Sequence, residues 1–339
     1  MIQISVVVPT YNSKEELKKC LAVLTKQTFS ADKYEVIIVD DGSTDGTEEA
    51  VEEIKKDLKK SMQRNLKYFK QENSGPAVAR NLGIQKAEGE IIAFTDSDCI
   101  ARPNWLEEID KSFQDAQILG VSGQTISLDV LVFPWRIAPA GFGFTTCNMA
   151  YKESALADAG GFDEKFGVPY YEDTDLALRL KKNGGNIIQN KQAIVVHPPR
   201  VLGVKGLAKQ AFLHRYDSLF SRLYPGYVND FGAPFKPIFW RFSLVGLGSL
   251  LLSVFLIGGL FLLGIKALLF LALFLGVLFI FFLAGGYRLC LSCWPGNLEN
   301  EKGISLYEKT KTFVALLVYI PLFLMARIIS LLKYRKFLF

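Results

Sequence analysis

Two aspartates, Asp96 and Asp98, follow a short apolar run, Ile91-Ile92-Ala93-Phe94, that predicts a buried strand. Carboxylates two residues apart at the end of a strand lie on the same side of the chain, so both can address one site. Hard divalent cations are held by one or two carboxylates, with phosphate oxygens completing the coordination. The pattern therefore predicts a Mg²⁺ or Mn²⁺ site, in which we favour Asp98 as the direct ligand, and a pair of ordinary loop aspartates is the alternative.

A second acidic pair, Glu172 and Asp173, precedes the run Thr174 to Leu180, which predicts the opening of a helix. Helix N-termini favour carboxylates electrostatically. An attacking hydroxyl group has a pKa far above 7 and needs a positioned carboxylate to accept its proton. The pair predicts such a general base, while the alternative is an ordinary acidic first turn without catalytic work.

The elements that must position these residues alternate between strands and helices over the first 100 positions. Buried-strand runs start at Ile4, Val36, Leu66 and Ile91, and helical patterns follow, with one predicted from Thr47 to Lys60 and another from Pro76 to Lys86. Such alternation predicts an α/β domain with a mostly parallel central sheet. Ligands of these sheets bind beyond the carboxyl ends of the strands, where the polar clusters of this chain lie.

Six motifs in this order resemble the family 2 inverting glycosyltransferases with the GT-A fold. They are Val8-Pro9-Thr10-Tyr11-Asn12, Val39-Asp40-Asp41-Gly42-Ser43-Thr44-Asp45, Asn73-Ser74-Gly75-Pro76 to Arg80-Asn81, Asp96-Ser97-Asp98, Gly160-Gly161-Phe162-Asp163-Glu164 and Glu172-Asp173-Thr174-Asp175-Leu176. Each motif alone is weak, whereas six in the family's order across residues 5–200 are specific. The resemblance implies a GT-A nucleotide-sugar-binding domain that transfers a sugar with inversion.

The resemblance also implies roles for individual residues at the donor side. Pro9 and Tyr11 would contact the nucleoside, whose flat base needs an aromatic face, and Asp41 would accept from its imide N–H. Asp96 would contact the ribose or the donor sugar. Arg80 would reach the donor phosphates, although it could instead pair with an acid such as Asp96.

Three further roles complete what the resemblance implies. Asp173 would be the base, while Glu172 could hold the acceptor. His197 matches a position where some family members supply a third metal ligand, although a lone histidine is often structural.

Processive polysaccharide synthases of this family carry a Gln-x-x-Arg-Trp signature, which the stretch Gln210 to Tyr216 does not match. Transfer of a single sugar is therefore favoured over a processive polysaccharide or glycolipid synthase, and a catalytically inactive sugar-nucleotide-binding scaffold is the third alternative.

The charge of the chain is unevenly distributed. Residues 1–180 carry a net charge of −9, and residues 181–238 and 239–339 carry +7 each. A basic, apolar C-terminal part fits a membrane surface better than nucleic acid, which is therefore excluded as a partner. Together with the motifs, this composition predicts a catalytic domain at 1–200, a basic amphipathic interfacial segment at 201–238 and a membrane region at 239–339.

Long uncharged runs support the predicted membrane region. Residues 242–265 and 267–287 each contain enough apolar residues to cross a bilayer. The run 313–332 contains Pro321 and Arg327, so it could span or lie in the interface. We therefore expect a multi-pass membrane protein whose catalytic domain faces the cytoplasm, with a nucleotide-sugar donor and a lipid-linked or membrane-presented acceptor, in cell envelope glycan biosynthesis.

Overall fold

The computed structural model describes residues 1–127, 144–166, 171–198 and 216–224, together with Met325, Ile329 and Lys333. The chain divides into two compact units, Met1–Val201 and Leu202–Phe339. All the candidate site residues belong to the first unit. In the described part of the second unit, one helix has defined bounds, Asp217–Leu223.

The first unit alternates strands and helices, as its apolar patterns predict. Its strands are β1 (Ile4–Thr10), β2 (Tyr34–Asp40), β3 (Leu66–Lys70), β4 (Ile91–Phe94), β5 (Ile100–Ala101), β6 (Ile118–Ser127), β7 (Met149–Lys152) and β8 (Asn186–His197). Its helices are α1 (Lys14–Leu24), α2 (Thr47–Asp57), α3 (Lys60–Asn65), α4 (Pro76–Lys86), α5 (Trp105–Ser112), α6 (Glu153–Ala159) and α7 (Glu172–Lys182). These elements confirm the predicted α/β class.

The predicted helix from Thr47 to Lys60 is the clearest difference in bounds. The helix ends at Asp57, because Leu58 and Lys59 take extended backbone conformations before α3 begins. This break lets the side chain of Leu58 pack against the main hydrophobic core. The apolar contact of Leu58 thus outweighs the helical propensity of the lysines that follow.

The sheet has the strand order β3-β2-β1-β4-β7-β6-β8-β5. Strands β3, β2, β1 and β4 are mutually parallel, and so are β6 and β8. Strand β7 runs antiparallel to both of its neighbours, and β5 runs antiparallel to β8. The sheet is therefore parallel in its first half and mixed in its second half.

Both faces of the sheet are covered, which explains why its strands read as continuous apolar runs. Along β1, Val6 and Val8 face the core formed with α1, while Val7 faces a second core formed with α4, α6 and α7. Helix α4 lies so close to β1 that a Cβ atom at Gly83 would come within 2.3 Å of the Val7 Cγ1 atom. This close packing fixes the helix that carries Arg80.

The predicted membrane segments cannot be compared with this fold. Residues 242–265 and 267–287 lie outside the described residues, and 313–332 overlaps them only at Met325 and Ile329. No helix in the described part of the chain has the length and apolar character needed to cross a membrane. The predicted bounds of the domains stay predictions.

Candidate active site

Three loops follow the carboxyl ends of β1, β2 and β3 at one edge of the sheet. They comprise residues 11–13, 41–46 and 71–75, and we call them the strand-end loops. Asn12 joins the first two, because its backbone N–H donates to Ser43 Oγ at 2.8 Å and its Oδ1 accepts from the Thr44 N–H at 2.8 Å. Asn12 holds a left-handed φ of 46° to do so. Strained backbone of this kind is often found at functional sites.

Asp40 supports the second strand-end loop from below. It is completely buried, and its carboxylate accepts from the backbone N–H of Ser43 at 2.7 Å and from the Tyr68 hydroxyl at 2.5 Å. Burial and the adjacent Asp40 carboxylate raise the pKa of Tyr68. Asp40 therefore shapes the loop from the interior.

Asp41 ties the second strand-end loop to the third. Its carboxylate accepts hydrogen bonds from Gln71 Nε2 at 2.7 Å, from the Ser74 N–H at 2.8 Å and from the Gly75 N–H at 2.9 Å. The loops approach so closely that a Cβ atom on Gly42, whose φ is +84°, would lie 3.1 Å from the Asn73 nitrogen. Asp41 is thus held rigidly at the mouth of the loops.

The structure places the other two predicted nucleoside contacts beside Asp41. Pro9 lies near the end of β1, in register with Val39 on β2, and is partly exposed. Tyr11 follows two residues later, and 53% of its surface is exposed. A ring this open can stack against a flat ligand.

A group of potential metal ligands lies at the end of β4. Single donor atoms of Asp96, Asp98, Cys99 and His197 all lie within 4.8 Å of one another. Strand β8 ends at His197, and its pairing with β5, in which Ile100 opposes Val196, delivers the imidazole to this loop. The His197 Nε2 atom lies 3.7 Å from Asp98 Oδ1. The predicted ligands Asp98 and His197 are therefore brought together across 99 residues of chain.

The chemistry of these donors fits a hard divalent cation. His197 Nδ1 lies 2.8 Å from the Pro198 carbonyl oxygen, which can only accept, so in the neutral imidazole Nδ1 donates to that oxygen and the lone pair is on Nε2. A hydrogen bond with Cys147, together with burial, raises the pKa of the Cys99 thiol, and sulfur is a soft donor that suits Mg²⁺ or Mn²⁺ less well than oxygen does. Two carboxylates and one imidazole remain, which suits Mg²⁺ or Mn²⁺.

Arg80 bridges this group to the second acidic pair. Its Nη2 atom lies 3.1 Å from Asp96 Oδ1, and its Nη1 atom lies 2.8 Å from Glu172 Oε1. Only 4% of Arg80 is exposed. Burial alone would lower the pKa of Arg80, but the carboxylates of Asp96 and Glu172 raise it. The pairing with Asp96 is the alternative that the sequence left open.

Glu172 and Asp173 form the first turn of α7, directly after Tyr171, whose φ is +71°. Glu172 is buried, whereas Asp173 is half-buried and accepts from the Thr174 N–H at 2.7 Å and from the backbone N–H of Thr146. Burial and the neighbouring Asp173 carboxylate raise the pKa of Glu172 to about 7. Burial also raises the pKa of Asp173. A carboxylate of raised pKa is a stronger base.

Several buried polar atoms around this pair lack a hydrogen-bond partner among the described residues. They are Glu172 Oε2, Arg80 Nε, Thr95 Oγ1 and Thr146 Oγ1. Buried polar groups are nearly always satisfied, so unsatisfied ones mark places where water, an ion or a ligand completes the site. We call Asp96, Asp98, Glu172 and Asp173 the carboxylate cluster.

Sequence reasoning missed two contacts in this region. One is the pairing of Arg80 with Glu172, which are 92 residues apart, and the other is the contact of Thr146 with Asp173. No local pattern signals either contact, because both depend on the packing of α7 against the sheet. The strained Tyr171 could not be foreseen either, since a left-handed tyrosine has no sequence signature.

Parts of this sequence are similar to known proteins. Residues 5–163 match the model of Glycosyl transferase family 2. The chain is 41% identical over 105 residues to glycosyltransferase AglE of Haloferax volcanii, and 35% identical over 164 residues to glycosyltransferase GlyG of Streptococcus pneumoniae. These alignments cover 31% and 48% of this chain, and 33% and 52% of the respective relatives. The chain therefore spans a third to a half of the length of these relatives.

A solved structure extends the likeness in fold. The mannosyltransferase PcManGT of Pyrobaculum calidifontis, solved with GDP-Man and Mn²⁺, superposes with a TM-score of 0.53 at 21% sequence identity. The superposition covers 98% of this chain and 87% of the other. At 21% sequence identity, the comparison supports a similar fold and nothing further.

Proposed function

Because residues 5–163 form a glycosyl transferase family 2 domain, we propose that the chain moves a single sugar from a nucleotide-sugar donor to an acceptor at a membrane. The observation that carries the proposal is the convergence of Asp96, Asp98 and His197. This group lies at the same sheet edge as the strand-end loops, and Arg80 joins it to the pair Glu172 and Asp173.

The strand-end loops supply the donor contacts in this proposal. Tyr11 offers its exposed ring to the base, Pro9 lines the same edge, and the rigidly held Asp41 accepts from an imide N–H. Uracil carries an imide N–H and guanine a comparable lactam N–H, so an acceptor such as Asp41 favours donors with one of these bases. Asp96 would contact the ribose or the sugar.

Asp98 and His197 would hold a divalent cation, Mg²⁺ or Mn²⁺. Such an ion, when bound, neutralises the negative charge that a departing diphosphate develops. The residues that the chain itself contributes are a carboxylate and an imidazole with its lone pair free at Nε2. This part of the proposal makes the enzyme metal-dependent.

Asp173 would act as the general base. It accepts the proton of the acceptor hydroxyl while that oxygen forms its bond to the anomeric carbon, and the bond to the diphosphate oxygen breaks. A single displacement of this kind inverts the configuration of the sugar. The raised pKa of Asp173 supports the role, because it strengthens the base without a further residue.

The acceptor would be lipid-linked, with a polyprenyl phosphate or a growing polyprenyl-diphosphate glycan as the class. The support is the sequence beyond residue 200, where a basic segment precedes the uncharged runs 242–265 and 267–287. Basic residues near an apolar anchor attract anionic headgroups. We propose accordingly a multi-pass membrane protein whose catalytic unit faces the cytoplasm.

A donor and acceptor screen tests the proposal. Purified full-length protein in detergent is incubated with UDP- and GDP-sugars and a polyprenyl-lipid extract, in Mn²⁺ or excess chelator. We expect one donor to release its nucleoside diphosphate only with metal, and one lipid to gain the mass of a single sugar.

The other outcomes each remove one part of the proposal. A donor that binds but is never consumed would indicate a scaffold. A ladder of products with many added sugars would indicate a processive synthase. Full turnover in excess chelator would remove the metal.

A further inference from the structure

The guanidinium of Arg80 is already paired with acidic side chains of the protein, which a phosphate-binding role does not require. Its guanidinium lies between two carboxylates, with 2.8 Å from Nη1 to Glu172 and 3.1 Å from Nη2 to Asp96. One of its faces lies against the ring of Phe162, with 5.6 Å from Cζ to the ring centroid. The guanidinium is thus bracketed on three sides by its own protein.

We propose that Arg80 is a positioning residue that couples the metal loop to the helix carrying the base, and that it does not contact the donor phosphates. The inference rests on the proposed function and deepens it. Asp96 lies two residues from the proposed ligand Asp98, and Glu172 is directly followed by the proposed base Asp173. Arg80 holds both neighbours through one rigid group.

The chemistry of the arginine side chain explains why this residue type is needed. Guanidinium is planar and presents its N–H groups in a fixed fork, so two carboxylates held by it take a defined separation and orientation. A lysine ammonium is a point charge and cannot fix both partners in this way. Replacement by lysine keeps the charge and removes the geometry.

The positive charge of Arg80 also balances the negative charges of the carboxylates around it. Asp96, Glu172 and Asp173 would repel one another at this site, and the Arg80 charge offsets part of the rise that burial gives to the pKa values of Glu172 and Asp173. Glu172 Oε2 has no hydrogen-bond partner among the described residues. The Arg80 pairing therefore fixes one oxygen of Glu172 and leaves the other to a substrate hydroxyl or water.

The first test separates a positioning arginine from a phosphate contact. Calorimetry measures the binding of UDP, GDP and the corresponding nucleosides, with Mn²⁺, to the full-length wild type and to Arg80→Lys. The matched control is Arg64→Lys, which changes an exposed arginine on α3. We expect diphosphate and nucleoside affinities of Arg80→Lys to stay within about threefold of wild type, less than the loss of one charged hydrogen bond. A selective loss of diphosphate affinity would overturn the proposal.

The second test asks whether Arg80 acts through Glu172. Turnover is measured for Arg80→Lys, Glu172→Gln and the double variant. We expect kcat of Arg80→Lys to fall by roughly 10–100-fold, as for other residues that orient a catalytic group, with donor KM unchanged. Because both changes break one interaction, the double variant should lose no more than the worse single variant. Multiplying losses would contradict the coupling.

A crystal structure of the wild type with nucleoside diphosphate and Mn²⁺ decides the matter even if Arg80→Lys fails to fold. We expect Arg80 to stay on Asp96 and Glu172. A guanidinium within hydrogen-bond distance of a phosphate oxygen would overturn the inference. Failure of the wild type to bind any nucleotide would instead count against the proposed function, so the two failures are distinguishable.

Discussion

The strand-end loops and the carboxylate cluster lie in the same unit, but they differ in how fully the protein hydrogen-bonds their acidic side chains. Asp41 accepts three hydrogen bonds from Gln71, Ser74 and Gly75, and both of its oxygens are used. In the cluster, burial raises the pKa values of Glu172 and Asp173, and Glu172 Oε2 has no partner among the described residues. The Asp41 carboxylate is therefore held in place by the protein, with one acceptor position of Oδ2 left for the proposed base contact, whereas Glu172 in the cluster has an oxygen with no partner at all among the described residues.

The difference indicates a division of labour. A recognition surface works best when it is rigid before the ligand arrives, since ordering then costs little on binding. A catalytic region gains from charges and polar atoms that are satisfied only when ions and substrates are present. Substitutions in the loops should therefore lower binding and stability together, and substitutions in the cluster should lower turnover without lowering stability.

The largest effect is expected for Asp98→Asn. The amide removes the charge from the proposed metal site, so turnover should fall below detection while the circular dichroism spectrum and unfolding temperature stay unchanged. Asp57→Asn, at the exposed end of α2, is the matched control and should retain full activity. Measurable metal-dependent turnover in Asp98→Asn would move the ligand role to another residue.

Asp173→Asn is expected to lower transfer by roughly 10²–10⁴-fold, the usual contribution of positioned acid–base catalysis. Nucleotide affinity should hardly change. Since a raised pKa means that the ionised group destabilises the fold at high pH, the variant should unfold at the same or a higher temperature at about pH 8. If Glu172→Gln abolished turnover and Asp173→Asn kept it, the two roles would be exchanged.

Asp41→Asn should affect binding and stability together. An amide has one oxygen acceptor, so its NH₂ group would face one of the N–H donors that Asp41 now accepts from. We expect a loss of about 1–3 kcal/mol in the free energy of unfolding and a fall in nucleotide affinity of about tenfold. Asp57→Asn, at the exposed end of α2, is the control for the loss of a surface carboxylate. An unchanged unfolding free energy would erase the contrast between the regions.

The smallest effect is expected for His197→Ala. Removing one of the proposed ligands should raise the Mn²⁺ concentration needed for half-maximal turnover, by about tenfold, with the rate at saturating metal largely restored. The measurement is a metal titration of turnover. An unchanged titration would return His197 to a structural role at the end of β8.

The sequence predicted the parts of this site that depend on local chain patterns. The apolar runs before Asp41 and Asp96 placed both residues at strand ends, and the bounds of α4 were predicted correctly. The likeness to Glycosyl transferase family 2 is confirmed over residues 5–163. The roles of the individual site residues stay predictions.

Long-range packing was beyond prediction from the sequence. The antiparallel β7 and the short β5 follow from tertiary pairing and have no periodic signal, although β5 is what brings His197 to Asp98. The choice of Arg80 between phosphates and acids likewise depends on where α7 lies. The arginine side chain is long enough to reach either the donor phosphates or the acidic residues.

The pH dependence of single-turnover transfer, with saturating donor and Mn²⁺, tests the central claim most directly. A general base must be deprotonated, so a raised pKa moves the rise in rate to higher pH. For the wild type we predict a rate that increases with pH and has its midpoint above the ordinary aspartate value of about 4, because burial raises the pKa of Asp173. The increase should be absent in Asp173→Asn. The same increase in both proteins, or a flat profile in the wild type, would contradict Asp173 as the base.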